Sequence, residues 1–266
     1  MSRPRRKPPA ALSARNADRH ALYEIAVQQP QIMVGFIEDL FEQIGADRPT
    51  VLREDFCGTA QLAALWAASG DDRRAIGVDN DPDVLAWARA NNLRPVGAAG
   101  ERVRLICDDV MAAGGEAADV VVALNFSHFI YKQRADLLAY FQRARANLKP
   151  GGLFICDAFG GPGSITPDID RRPFSDFDYL WEQRRFDPVT HAIDCRIHFA
   201  FANGTKLRDA FVYDWRMWSL PELFELLDEA GFGQTTVYFE SEEGFIGDTD
   251  AIDMHAWVAY IAAMRE

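Results

Sequence analysis

The sequence predicts an α/β protein: a seven-stranded, mostly parallel sheet with an antiparallel last strand, interrupted after the fifth strand by a three-stranded antiparallel insertion. Three observations carry this. Short apolar runs alternate with helical segments between residues 51 and 156, aromatic and β-branched runs fill 160–218, and one helix with two further apolar runs closes the chain.

Asp18 to Ile44 opens as a helix, with Leu22, Ile25, Ile32, Phe36, Leu40 and Ile44 on one face and a break at Pro30. Five apolar runs follow, at Val51-Leu52, Ala75 to Val78, Val103 to Ile106, Val120 to Leu124 and Leu153 to Cys156; strands alternating with helices imply right-handed crossovers and a parallel sheet. The helix from Lys132 to Leu148 stripes Leu137, Phe141, Ala144 and Leu148 before Lys149-Pro150-Gly151-Gly152 stops it. Strands are expected at Tyr179 to Phe186, His191 to Ala202 and Leu207 to Trp215, the last two joined at Asn203-Gly204, a type I′ hairpin signal. In the middle strand Ile193, Cys195, Ile197, Phe199 and Phe201 alternate with Asp194, Arg196 and His198, and the polar face is the expected roof of a pocket. Ser219 and Glu222 form a capping box for the helix carrying Leu220, Leu223, Phe224 and Leu227. Phe232 to Phe239 and Met254 to Ile261 close the sheet around a loop at Glu240 to Asp253. The expected division is a disordered basic tail at 1–16, a sheet domain at 17–159 and 219–266, and the insertion at 160–218 as a substrate lid.

Composition narrows the function. The chain has 266 residues, 48% of them hydrophobic, enough for one large domain. No apolar run reaches the ~20 residues of a membrane span, and the start lacks a secretory signal, so a cytoplasmic protein is expected, a transit peptide in the basic start being the alternative. Cys57, Cys107, Cys156 and Cys195 lie far apart and read as reduced thiols without zinc spacing. Net charge is −12; Arg3, Arg5, Arg6, Lys7, Arg15 and Arg19 against Asp18 leave the start at +5 and the remainder at −17. A body so acidic repels phosphate backbones, which disfavours nucleic acid as partner.

The chemistry concentrates at strand ends. Val51-Leu52-Arg53-Glu54-Asp55-Phe56-Cys57-Gly58-Thr59-Ala60 runs a strand through an acidic turn into a helix, where open α/β sheets bind ligands. It lacks G-x-G-x-x-G, and its carboxylates repel a pyrophosphate, so NAD fits poorly. Asp79 ends the second strand, Cys107-Asp108-Asp109-Val110 the third, and Leu124-Asn125-Phe126-Ser127-His128 the fourth. These four stations, in this order, resemble the class I S-adenosylmethionine-dependent methyltransferases and their Rossmann-like fold, with a layout closest to the glycine/sarcosine N-methyltransferase-like small-molecule group. The first motif of that family is acidic-x-Gly-x-Gly-x-Gly; Phe56 replaces its first glycine and Ala60 its last.

The resemblance implies S-adenosyl-L-methionine as cofactor and S-adenosyl-L-homocysteine as product, held by Glu54, Phe56, Cys57, Gly58, Thr59, Asp79, Asn80, Asp108, Asp109, Val110, Asn125, Phe126 and Ser127. In it Asp79 takes the ribose hydroxyls and Asp109 the adenine amine; the plain alternative for Asp79, Asp81 and Asp109 is helix capping. No metal is implied.

For the acceptor side, Tyr23, Asn125, His198, Tyr213 and Arg216 are the candidate catalytic residues, with Phe126, Tyr131, Trp181 and Trp215 as pocket walls. A histidine titrates near neutrality and an arginine clamps a carboxylate, but ordinary core and surface roles compete for each. The expected function is methyl transfer to a small molecule. A protein or RNA acceptor, a non-catalytic cofactor-binding protein and an NAD oxidoreductase are the alternatives; the assembly state, a homodimer included, stays open.

Overall fold

The computed structural model describes residues 11–241, 244–247 and 254–266. The expected first helix is two, α1 (Arg19–Val27) and α2 (Pro30–Gln43), because Pro30 cannot continue the first and instead opens the second. Then follow β1 (Val51–Asp55), α3 (Gln61–Ala68), β2 (Arg74–Asp79), α4 (Pro82–Ala88), β3 (Val103–Cys107), β4 (Ala118–Ala123), α5 (Arg134–Ala146) and β5 (Leu148–Gly160). After the insertion come α6 (Leu220–Glu229), β10 (Thr235–Ser241), β11 (Gly244–Gly247) and β12 (Trp257–Met264).

The main sheet runs β3-β2-β1-β4-β5-β12-β10-β11. The five strands from β3 to β5 are mutually parallel and β12 is antiparallel to β5, the mostly parallel class I methyltransferase arrangement. One strand was not foreseen: Gly244–Gly247, read as loop, pairs with β10 as an eighth strand. Both sheet faces are buried, which is why the inner strands read as unbroken apolar runs and pack between α-helices. The parallel register brings the ends of β1, β2, β3 and β4 out on one edge, Asp55 opposite Val78 and Asp79 opposite Cys107.

The insertion is a separate antiparallel sheet of β6 (Asp168–Pro173), β7 (Phe177–Phe186), β8 (Ala192–Phe201) and β9 (Lys206–Arg216). β6 makes it four-stranded rather than three-stranded. Every residue of β6 is exposed, so this edge strand carries no apolar alternation by which sequence reveals a strand. Ser219 and Glu222 form the expected capping box on α6.

The sheet's apolar face is the inward one, against the expectation of a polar roof. Leu22 and Ala26 of α1 pack on Phe177, Tyr179, Ile197 and Phe199, while Ile193, Cys195 and Trp215 join the main core. Leu12 and Ala14 pack on the same sheet, and Ala14 N donates to Thr205 Oγ1 at 3.1 Å. Residues 11–16 of the expected disordered tail at 1–16 thus lie where apolar side chains meet an apolar face; residues 1–10 lie outside the described residues. Among the described residues no helix is long and apolar enough to cross a membrane.

One core residue makes a stability prediction. His128, in the 3₁₀ turn Ser127–Ile130, is fully buried edge-on to Phe129 at 5.0 Å, with neither ring nitrogen hydrogen-bonded among the described residues. Burial pushes its pKa down to about 3. The unfolded chain takes up a proton near pH 6.5 and the folded one does not, so stability is lost as pH falls below that value. Between pH 7 and pH 5 this group costs about 2 kcal/mol, and His128→Leu is expected to remove that part of the pH dependence. Urea unfolding at both pH values checks it; parallel losses in the two proteins would refute it.

Candidate active site

Alternation along β1 gives its two acids different work. Arg53 and Asp55 share a face and are fully buried as a pair: Arg53 Nε donates to Asp55 Oδ1 at 2.7 Å, and Tyr140 Oη donates to Asp55 Oδ2 at 3.2 Å. The other Arg53 nitrogens reach the carbonyls of Ala113 at 3.3 Å and Gly114 at 3.4 Å. Asp55 is therefore a structural anion. Glu54 points the other way, into a cavity, where Oε2 accepts from Ala63 N in α3 at 3.0 Å. No cation pairs with it among the described residues, and burial lifts its pKa to about 8.

The turn after β1 keeps glycine-like backbone without the glycines. Phe56 (φ 57), Gly58 (φ 50) and Ala60 (φ 52) all lie in the left-handed region, which costs a side-chain-bearing residue about 1 kcal/mol. The Phe56 ring packs behind the turn, 5.5 Å from Tyr140 and 6.3 Å from Tyr131. Gly77 is required beneath this turn, since a Cβ there would lie 2.9 Å from Cys57 Sγ.

Asp79 ties the stations together. Its Oδ2 accepts from Gly58 N at 2.8 Å and its Oδ1 from Asp81 N at 3.0 Å, while Asp81 caps α4. Burial raises its pKa, outweighing those N–H groups. Asp108 N donates to Asp79 O at 3.1 Å, which sets residues 108–110 beside the Asp79 backbone. Asp108 and Asp109 are exposed, and Asp109 Oδ1 accepts from Met111 N at 2.8 Å. Val110 is buried, Asn80 exposed, and Ser127 Oγ donates to Leu124 O at 2.7 Å.

The turn after β4 holds Asn125 (φ 58) and Phe126 (φ 59), again left-handed. Asp157 near the end of β5 clamps it: Oδ2 accepts from Asn125 N and Oδ1 from Phe126 N, each at 2.7 Å. Sequence reading passed over Asp157, although an acid near the end of a fifth strand is the same signal as Glu54, Asp79 and Asp109.

The ends of β1, β4 and β5, through Glu54, Leu124, Asn125, Phe126 and Asp157, form the floor of a cavity of about 650 Å³, roofed by the inward face of the second sheet and walled by α1 and α2; residues 56–59, Asp79, Asn80, residues 108–110 and Ser127 lie outside its lining. Tyr23, Asn125, Phe126, Trp181, Tyr213 and Trp215, nominated from sequence, all line it. Tyr213 stacks on Trp215 at 4.2 Å, Trp215 lies 6.4 Å from Trp181 and 6.3 Å from Phe126, and Tyr23 lines the same space as Tyr213. Five carboxylates line the same space, Glu54, Asp157, Asp168, Asp170 and Glu240, against one guanidinium, Arg172, which lies 3.6 Å from Asp170.

Three nominated residues stand elsewhere. His198 is on the outer face of β8, since residues of opposite parity face the cavity; its Nε2 pairs with Glu182 Oε2 at 2.9 Å and its Nδ1 accepts from Asp209 N at 2.7 Å, so it is no base for the cavity. Arg216 is a bracket: it donates to Lys132 O and Glu222 Oε1 and stacks over Trp218 at 3.6 Å. Tyr131 stacks on Tyr140 at 5.3 Å, outside the cavity lining.

Residues 57–154 match the family model of a methyltransferase domain. The carboxy-S-adenosyl-L-methionine synthase of Geobacter metallireducens is 38% identical over 111 residues, 40% of this chain and 43% of that protein, so the match spans less than half of that relative. The crystal structure of an S-adenosylmethionine-dependent methyltransferase from Clostridium acetobutylicum superposes with a TM-score of 0.70 at 16% identity, covering 92% of this chain and 96% of that one. CalS10, an amino pentose methyltransferase from Micromonospora echinaspora solved with bound S-adenosylmethionine, superposes at 0.67 with 17% identity over 93% and 96%.

Proposed function

We propose that this chain, which carries a methyltransferase domain on the class I S-adenosylmethionine-dependent methyltransferase fold, moves a methyl group from S-adenosylmethionine to a small-molecule amine enclosed beneath its second sheet. The observation that carries the reading is the cavity at the tips of β1, β4 and β5 beneath the second sheet, with aromatic walls, five carboxylates and one guanidinium already facing an acid. Such a lining favours a cationic acceptor, through carboxylate pairing and the negative faces of Trp181, Tyr213 and Trp215. That CalS10 acts on an amino pentose is consistent with this.

The donor side fits the cofactor. S-adenosylmethionine supplies an electrophilic methyl group on a sulfonium. Glu54 is a buried carboxylate without a counter-cation, suited to a cationic donor, and each Asp79 oxygen keeps a lone pair for a ribose diol. Residues 108–110, with Asp109 foremost, are assigned to the adenine, and 56–59 with 125–127 to the methionine end. Residues 160–218 act as the lid. Its aromatic face excludes water and aligns the acceptor, which is most of what an in-line displacement asks of a protein. Tyr23 on α1 and Tyr213 on β9 close the cavity between them. All four cysteines are unpaired, which suits the reducing cytoplasm.

The test is calorimetric binding of S-adenosylmethionine, followed by transfer of its radiolabelled methyl group into pools of amines, alcohols and carboxylic acids. Label entering only alcohols or acids, or no donor binding, would overturn the reading. A pH prediction accompanies it. With a pKa of about 8, Glu54 is protonated at pH 6 and must ionise to hold a cation, so donor affinity is expected to rise up to about fifty-fold from pH 6 to pH 8. Glu54→Gln is expected to flatten the rise; an unchanged slope in that variant would exclude Glu54 from donor binding.

A further inference from the structure

We propose that Asp157 receives the proton of the acceptor's ammonium group and holds the resulting amine nitrogen for methylation, an assignment that rests on the amine reading above. Asp157 is 4% exposed, lines the cavity, and pairs with no cation among the described residues. The N–H groups of Asn125 and Phe126, both at 2.7 Å, fix its carboxylate plane and occupy one lone pair on each oxygen. The remaining lone pairs are available to a donor in the cavity. A buried carboxylate in that position is compensated by a proton or by a cationic ligand, and a substrate ammonium brings both.

Its surroundings suit proton transfer near neutrality. Glu240 from β10 is the charged neighbour; Tyr260 from β12, Tyr23 from α1 and Cys156 beside it are neutral groups whose ionisation Asp157 opposes. No lysine or arginine faces it among these neighbours, and burial lifts its pKa to about 7. Other proton acceptors are placed less well: His198 is on the outer face of its sheet, Glu54 is assigned to the donor, and His255, Asp168, Asp170 and Glu240, which also line the cavity, are exposed to solvent rather than buried at its floor. Glu54 on β1 and Asp157 on β5 are separated by β4, hence by about 10 Å at two strand spacings. One carboxylate can thus serve the donor cation and the other the acceptor cation.

The N–H proton of the ammonium passes to the Asp157 carboxylate. The freed nitrogen lone pair forms the new N–C bond, the C–S bond breaks with its electron pair left on sulfur, and the positive charge moves from sulfur to nitrogen. The Asp157 proton then leaves to water through the cavity mouth.

The experiment compares wild type with Asp157→Asn, using amino sugars as probes and their hydroxyl counterparts as controls. In wild type the ¹³C shift of the Asp157 carboxyl is expected to titrate near pH 7 and to move at least one unit lower with saturating amino sugar, but not with the hydroxyl control. In turnover Asp157→Asn is expected to lose at least about a hundredfold in kcat at pH 7, and to regain rate towards pH 10 as the free amine supplies its own lone pair. Loss of the Asn125 and Phe126 clamp alone would lower the rate equally at every pH, so a variant profile parallel to wild type overturns the assignment while leaving amine methylation standing. Asp157 titration unaffected by the amino sugar overturns it without recourse to turnover. Label found only in hydroxyl acceptors overturns the amine reading and this assignment together.

Discussion

Asp79→Ala is expected to weaken S-adenosylmethionine binding at least ~10-fold, because two lost hydrogen bonds to the ribose diol are worth about 1.5 kcal/mol together. The structure raises this floor. The same carboxylate accepts from Gly58 N and Asp81 N, so its removal leaves the Gly58 N–H of the strained turn without its acceptor and unties that turn from the end of β2. Asp79→Asn keeps one acceptor oxygen and is expected to fall between wild type and alanine. Isothermal calorimetry reads both. A dissociation constant in Asp79→Ala equal to that of wild type would take Asp79 out of the site, and with it the inference that acids on successive strands converge on one donor.

The largest effect on stability is expected from Asp55→Ala. This change leaves the Arg53 guanidinium fully buried with only two long hydrogen bonds, to the carbonyls of Ala113 and Gly114 at 3.3 and 3.4 Å. Breaking a buried pair from one side costs about 3–5 kcal/mol, since the remaining charge has neither water nor partner. Removing both charges, as Arg53→Met with Asp55→Leu, is expected to recover most of that loss, because a buried pair itself contributes little net stability. Denaturant unfolding of the single and double variants gives the comparison. A single variant within 1 kcal/mol of wild type would mean that Arg53 finds water or another anion.

Much of the sheet was legible because it rests on short-range rules. Five apolar runs separated by helices dictate parallel crossovers, and Glu54, Asp79, Asp109 and Asn125 were nominated by their place at strand ends, of which Glu54 and Asn125 line the cavity. Tyr23, Phe126, Trp181, Tyr213 and Trp215 were found as aromatics on elements that must converge. Three things were hidden. The edge strand β6 carries no burial signature by which sequence shows a strand, and β11 is only four residues long. Asp157 was passed over. His198 and Arg216 were nominated for their chemistry alone, and partners distant in sequence claim both: Glu182 and Asp209 for the first, Lys132 for the second.

By itself the sequence determined the strand and helix order, the two faces of the second sheet and the acids at strand tips, because a period of two, a period of 3.6 and a proline are local properties of the chain. Only the tertiary structure decided which of those faces covers the cavity, which acid of the Glu54-Asp55 pair is sealed behind the sheet, and that Asp157 meets Asn125 and Phe126. Those outcomes turn on contacts between different elements, such as Asp55 with Tyr140 and Asp157 with Asn125 and Phe126, where burial cost and the supply of partners choose among arrangements that local pattern leaves equal.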